Sequence, residues 1–165
     1  MSSKPALPAR RLALLGLLAL AGCGFSPAFG TDGVATPLRN AVAVTAPDTV
    51  AGFRLRTRIT DRLGAADTPR FALNVTLRQD QTAAAITTEG DTTRINLRGF
   101  ADWTLTDTAG AVLTSGSTQT FTSYSATGST VATQAAATDA QARLATALAD
   151  MIVADLTATA GDLPQ

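Results

Sequence analysis

Cys23 is the one side chain in this sequence whose surroundings point to specific chemistry. It is the only cysteine of the 165 residues, so it cannot close an intramolecular disulfide. Three basic residues and an apolar run at residues 12–20 precede it, and the small pair Ala21 and Gly22 stands directly before it. This order of basic, apolar and small residues is typical of a secretory signal peptide. We therefore expect cleavage before Cys23.

The four residues 20–23, Leu-Ala-Gly-Cys, resemble the bacterial lipobox, in which the cysteine receives a diacylglyceryl group and becomes the first residue of the mature protein. Each buried methylene of an acyl chain contributes about 0.8 kcal/mol to membrane binding, and several chains hold a protein firmly. The apolar run is too short for a transmembrane helix. We expect Cys23 to be the lipid-carrying anchor. The alternative is conventional signal-peptidase cleavage beside a free or buried, unmodified cysteine.

The composition of the mature chain excludes most catalytic chemistry. Residues 23–165 contain ten arginines, no lysine, no histidine and thirteen acidic residues, a net charge of −3. A Ser-His-Asp triad, a histidine metal site and a lysine Schiff base are therefore ruled out. A broad basic surface for nucleic acid is also absent. Carboxylate-pair chemistry remains, but no acidic pair stands in a recognisable motif. We expect a non-enzymatic protein without a cofactor or a nucleic-acid partner.

The chain divides into four predicted parts. Residues 1–22 are the signal peptide, and residues 23–39, rich in Pro, Gly, Ser and Thr without periodicity, form a lipidated tether. Residues 40–160 form a single domain, and residues 161–165 a short tail. The mature chain is long enough for one hydrophobic core.

A short strand and a helix are predicted at the start of the domain. Residues 41–44 are apolar and precede Pro47. Asp48 or Thr49 can cap a helix that ends at Gly64. Its core stripe repeats every four residues, at Leu55, Ile59 and Leu63.

Three arginines follow the same spacing on a second face of this helix: Arg54, Arg58 and Arg62. Like charges four residues apart repel one another by a few tenths of a kcal/mol, and only Asp61 is near in sequence to relieve them. A solvated face is the simpler interpretation, and contact with an anionic ligand or partner is the alternative.

Alternating residues predict three long strands. Residues 71–78 and 94–105 alternate apolar and polar, with a turn at residues 89–91, and residues 111–125 are rich in Thr and Ser, with a bulge expected at Gly116. Tight turns join such strands into an antiparallel meander. We expect Asn96, Thr104 and Thr120 on the polar face of this sheet.

Over residues 130–160 the spacing of the apolar residues changes to the 3.6-residue period of a helix. Asp139 can pair with Arg143 on this helix. The predicted apolar stripe comprises Ala137, Ala140, Leu144, Leu148, Met151, Ile152 and Leu156. The element order is β-α-β-β-β-α. Two amphipathic helices and a one-sided sheet predict a two-layer α+β sandwich, in which a four-stranded, mostly antiparallel sheet carries both helices on one face. No predicted element covers the polar face, and such a face is usually just a solvent-exposed surface.

The start of the mature chain, residues 23–30 (CGFSPAFG), resembles the start of the LptE family of lipopolysaccharide (LPS)-assembly lipoproteins, especially its alphaproteobacterial members. The likeness continues through "DRLG" at residues 61–64, "WTLTD" at 103–107 and "LADMIVADL" at 148–156. It implies an outer-membrane lipoprotein, lipidated with palmitate-type chains at Cys23, that plugs the LptD β-barrel, assists its assembly and helps to deliver LPS to the cell surface. The residue after Cys23 is glycine, not the aspartate associated with inner-membrane retention in enteric bacteria.

One departure concerns the turn at residues 89–91. Some members of the family carry basic residues there, thought to contact lipid phosphates, whereas this chain has Glu89-Gly90-Asp91. The nearest basic residues, Arg94 and Arg98, are the candidate LPS-binding residues instead. Two alternatives stay open: a generic lipid-anchored, periplasm-facing binding or structural lipoprotein without a barrel partner, and an unrecognised lipoprotein hydrolase.

Overall fold

The computed structural model describes residues 33, 35–88, 90 and 92–164. The predicted signal peptide, Cys23, Glu89 and Asp91 lie outside the described residues. The elements, in chain order, are a 3-10 turn (Thr36–Leu38), β1 (Val42–Thr45), α1 (Val50–Leu63), β2 (Phe71–Ile86), β3 (Thr92–Asp107), β4 (Val112–Ser125), α2 (Thr130–Thr159) and a second 3-10 turn (Ala160–Asp162).

The four strands form one mixed sheet in the order β1-β2-β3-β4. The short β1 runs parallel to β2, and the other two pairings are antiparallel. Helix α2 packs on β3 and β4, α1 packs on β1, and the helices contact each other. The predicted two-layer α+β fold, with four strands and two helices, is confirmed.

Helix α1 begins and ends at the predicted signals. The Thr49 hydroxyl accepts a 3.0 Å hydrogen bond from the Gly52 N–H at the start of the helix. At the other end Gly64 adopts φ 89°, a conformation that glycine reaches without a steric penalty. Between them the predicted stripe of Leu55, Ile59 and Leu63 is buried in the core.

Helix α2 buries a wider face than the predicted stripe. Met151 is 39% exposed, so its assignment to the core was wrong. Ala145, Ala149 and Val153, which the predicted stripe did not include, are buried on this helix instead. The buried residues are Ala140, Leu144, Ala145, Leu148, Ala149, Ile152, Val153 and Leu156.

Helix α2 is also long and apolar enough to cross a membrane by length and composition alone. In this domain 44% of its most apolar window is buried, and the buried side chains belong to the same core as those of α1 and the sheet. Core packing therefore accounts for part of its apolarity.

The expected bulge at Gly116 is absent. Gly116 pairs in regular register with Trp103 of β3. The register shifts instead between Leu105, which pairs with Thr114, and Thr106, which pairs with Val112. A Cβ atom at position 116 would lie 2.5 Å from the Trp103 ring. The glycine thus provides space for an indole that lies against the strand, and this packing explains its presence within β4.

Candidate binding face of the sheet

The second face of the sheet carries no helix. Its side chains on β2 and β3 follow the predicted alternation, and none of the side chains on this face is buried among the described residues. We call this surface the open face. Its members from the three long strands are Asn74, Thr76, Arg78, Asp80 and Thr82; Arg94, Asn96, Arg98, Phe100, Asp102, Thr104 and Thr106; and Ser115, Ser117, Gln119, Phe121, Ser123 and Ser125.

The register places Arg94 and Arg98 on the open face of β3, and both are exposed. Four residues of a strand span about 13 Å, so the two side chains start far enough apart to contact different groups of one large ligand. Arg98 stands opposite Asp80 of β2 and Phe121 of β4. In the part of the chain that the structure describes, neither arginine has a carboxylate within 4.0 Å.

An aromatic cluster beside Arg98 was not foreseen from the sequence. The Arg78 guanidinium lies 4.5 Å from the centre of the Phe100 ring, a cation–π contact. Phe121 is 68% exposed. A shallow depression of about 270 Å³ lies between Arg98, Phe100, Gln119, Thr120 and Phe121. The alternation of β3 indicated the face of Arg98 and Phe100, but the prediction for β4 implied the opposite face for Phe121, and only the cross-strand register brings these residues together.

The arginine row on α1 proves to be partly structural. Arg58 donates two hydrogen bonds to the Asp150 carboxylate of α2, at 2.9 and 3.0 Å, and Arg62 lies 4.0 Å from the same group. The bonded carboxylate raises the pKa of Arg58 above its ordinary value. Two arginines of the row therefore face a carboxylate of α2, although only Arg58 is hydrogen-bonded to it, and Arg54 lines a groove between the two helices. Thus the row is neither simply a solvated face nor a complete anion site.

Two other predictions made from local sequence have different outcomes. Asp139 and Arg143 form the predicted ion pair on α2. Thr120, however, pairs with Gly99, whose missing Cβ would meet Leu144 and Leu148. Thr120 therefore lies on the helix side, and its assignment to the polar open face was wrong, whereas Asn96 and Thr104 lie where they were predicted.

The fold and this face together define a class: two-layer α+β domains that cover one side of a sheet with helices and leave a polar side free for contact. Within that class the family profile "LptE: Lipopolysaccharide-assembly" matches residues 39–156. The chain belongs to the LptE family of LPS-assembly lipoproteins. The resemblance noted in the sequence is confirmed.

Solved structures agree on the fold. A lipoprotein of Caulobacter crescentus CB15 is 26% identical with a TM-score of 0.65, over 80% of this chain and 98% of that one. Rare lipoprotein B of Shewanella oneidensis is 10% identical (TM-score 0.58, over 72% and 95%). A minor lipoprotein of Acinetobacter baumannii is 17% identical (TM-score 0.55, over 73% and 92%). No curated protein matches the sequence.

Proposed function

We propose that this protein is an outer-membrane lipoprotein that plugs the LptD β-barrel and assists its assembly during transport of LPS to the cell surface. The observation that carries the proposal is the open face, a broad polar surface that no described element covers. The lumen of an outer-membrane barrel is polar, so such a face is suited to contact it. Membership in the family and the anchor predicted at Cys23 support the same role.

The direct experiment is extraction of the native protein in mild detergent. A photo-crosslinker at Asn96 or Thr104 should capture a large β-barrel, and depletion of the protein should lower the amount of assembled barrel. The same crosslinker at Met151 serves as the comparison, because this residue is exposed on the outer side of α2. The difference in barrel capture between Met151 and the open-face positions measures how much capture depends on the face. If the open-face positions capture no barrel and its level does not fall on depletion, the generic lipid-anchored lipoprotein without a barrel partner becomes the better description.

We also propose that Arg94 and Arg98 contact the anionic groups of LPS. Charge-assisted hydrogen bonds contribute about 1.5–3 kcal/mol each, so the double change to alanine should weaken LPS binding at least about tenfold while the fold survives. Arg143, which is paired with Asp139 on α2, provides the matched control: Arg143→Ala should leave LPS binding unchanged. Equal binding by wild type and the double variant would assign the two arginines to barrel contacts or to solvation.

A further inference from the structure

Strand β4 is the long free edge of the sheet. It lies last in the order β1-β2-β3-β4, and the opposite edge, β1, has only four residues. The 14 residues of β4 include no charged residue and no proline. Proteins usually protect exposed edges with charges, prolines, bulges or very short strands, because an unprotected edge pairs readily with another strand. Over the register from Gly116 to Ser125, β4 has none of these protections.

The register shows which backbone groups point outward. Beyond the strand end, the Ala126 N–H donates to the Thr93 carbonyl at 3.0 Å. Hydrogen-bonded and non-bonded pairs alternate along an antiparallel ladder, so Thr118 and Thr120 bond to β3. The N–H and C=O groups of Ser115, Ser117, Gln119, Phe121 and Ser123 therefore point to the free edge.

A contact made by α2 is consistent with this assignment. Arg143 donates a 3.3 Å hydrogen bond to the Ser123 carbonyl, one of the groups that the alternation directs outward. Among the described residues, no hydrogen bond from another element reaches the outward groups between Ser115 and Phe121. This part of the edge has room for a partner segment of about seven residues.

We infer that β4 binds an extended segment of the barrel partner by strand addition. The side chains beside the outward groups are Ser, Gln and Phe, so the matching segment is uncharged. It carries an apolar residue that packs on exposed Phe121, next to the depression lined by Arg98 and Phe100. The inference rests on the proposed barrel partnership and adds its mode of contact. A second copy of this chain fits less well, because pairing along about seven residues would be its whole interface, whereas a stable interface buries at least roughly 1,000 Å²; in the barrel the added strand would supplement the contacts proposed for the open face.

Proline at position 119 tests the inference. Gln119→Pro removes an N–H that points away from β3, and a proline is tolerated on an edge strand when its N–H side faces solvent. The substitution should therefore preserve the fold of the domain but prevent a partner strand from pairing with β4. Gln119→Ala keeps the N–H and is the matched control. With the full-length lipoprotein co-expressed with the LptD-like barrel of the same organism, Gln119→Pro should lower barrel recovery about tenfold relative to Gln119→Ala.

Each outcome is decisive. Equal recovery with both variants overturns strand addition but leaves the barrel partnership intact, whereas failure of the wild type to recover any barrel overturns the proposed function itself. A wild-type dimer without the barrel that Gln119→Pro abolishes would replace the barrel segment by a second copy. If Gln119→Pro does not fold, a photo-crosslinker at Ser117 in the otherwise unchanged chain serves instead. It should capture one short segment of the barrel, and capture at scattered positions would contradict the inference.

Discussion

Gly116→Ala is expected to destabilise the domain through one contact. The added Cβ would lie 2.5 Å from Cζ2 and 2.8 Å from Cε2 of Trp103, whereas carbon atoms in contact prefer about 3.5–4.0 Å. The indole is only 4% exposed, so it can move only by disturbing the core. Overpacking of this kind typically costs about 1–3 kcal/mol.

A second effect opposes this cost. Replacing glycine by alanine where the backbone allows it lowers the entropy of the unfolded chain and stabilises a protein by about 0.4–1 kcal/mol. Gly116 is not among the residues with positive φ, so this gain applies. The steric term is larger, and we expect a net loss of about 1–2 kcal/mol. For a domain of this size, with about 2.1 cal/mol/K of unfolding entropy per residue, that loss lowers Tm by roughly 4–8 °C.

Thermal unfolding measures the loss, and fluorescence identifies its cause, because Trp103 is the only tryptophan of the chain. The matched control is Gly161→Ala, whose added Cβ meets nothing within 4 Å; without the steric cost it should be neutral or stabilising by up to about 1 kcal/mol. In a Trp103→Phe background the smaller ring relieves the contact, and the cost of Gly116→Ala should fall by about 1 kcal/mol. An unchanged Tm and emission spectrum, or the same loss in both backgrounds, would refute the reasoning.

Two further predictions concern the anchor and the core. Cys23→Ala should block lipidation and leave an uncleaved or mis-sorted precursor, and an unmodified mature N-terminus in the mass spectrum of the wild type would refute the anchor. Leu148→Ala, at a fully buried position of α2, should lower the free energy of unfolding by about 2–5 kcal/mol. Met151→Ala on the exposed side should cost less than about 1 kcal/mol; equal losses in denaturant unfolding would contradict the assigned core face.

Much of the architecture follows from local sequence signals. Thr49 and Gly64 mark the ends of α1 because a hydroxyl cap and a residue with positive φ satisfy backbone groups that the helix leaves unpaired. The alternation in β2 and β3 predicts which side chains face the core, since successive residues of a strand point to opposite sides. Arg94 and Arg98 could therefore be assigned to the open face without the structure.

The tertiary structure decided what depends on residues far apart in the chain. Arg58 binds Asp150, 92 residues away, and no pattern within α1 indicates that partner. The register of β3 with β4 places Thr120 on the helix side, removes the expected bulge at Gly116 and brings Phe121 beside Arg98. Periodicity determines the faces of an element, but a shift of one residue in strand pairing reverses the side of every side chain. Which residues meet across elements is therefore settled only when the sheet and both helices pack together.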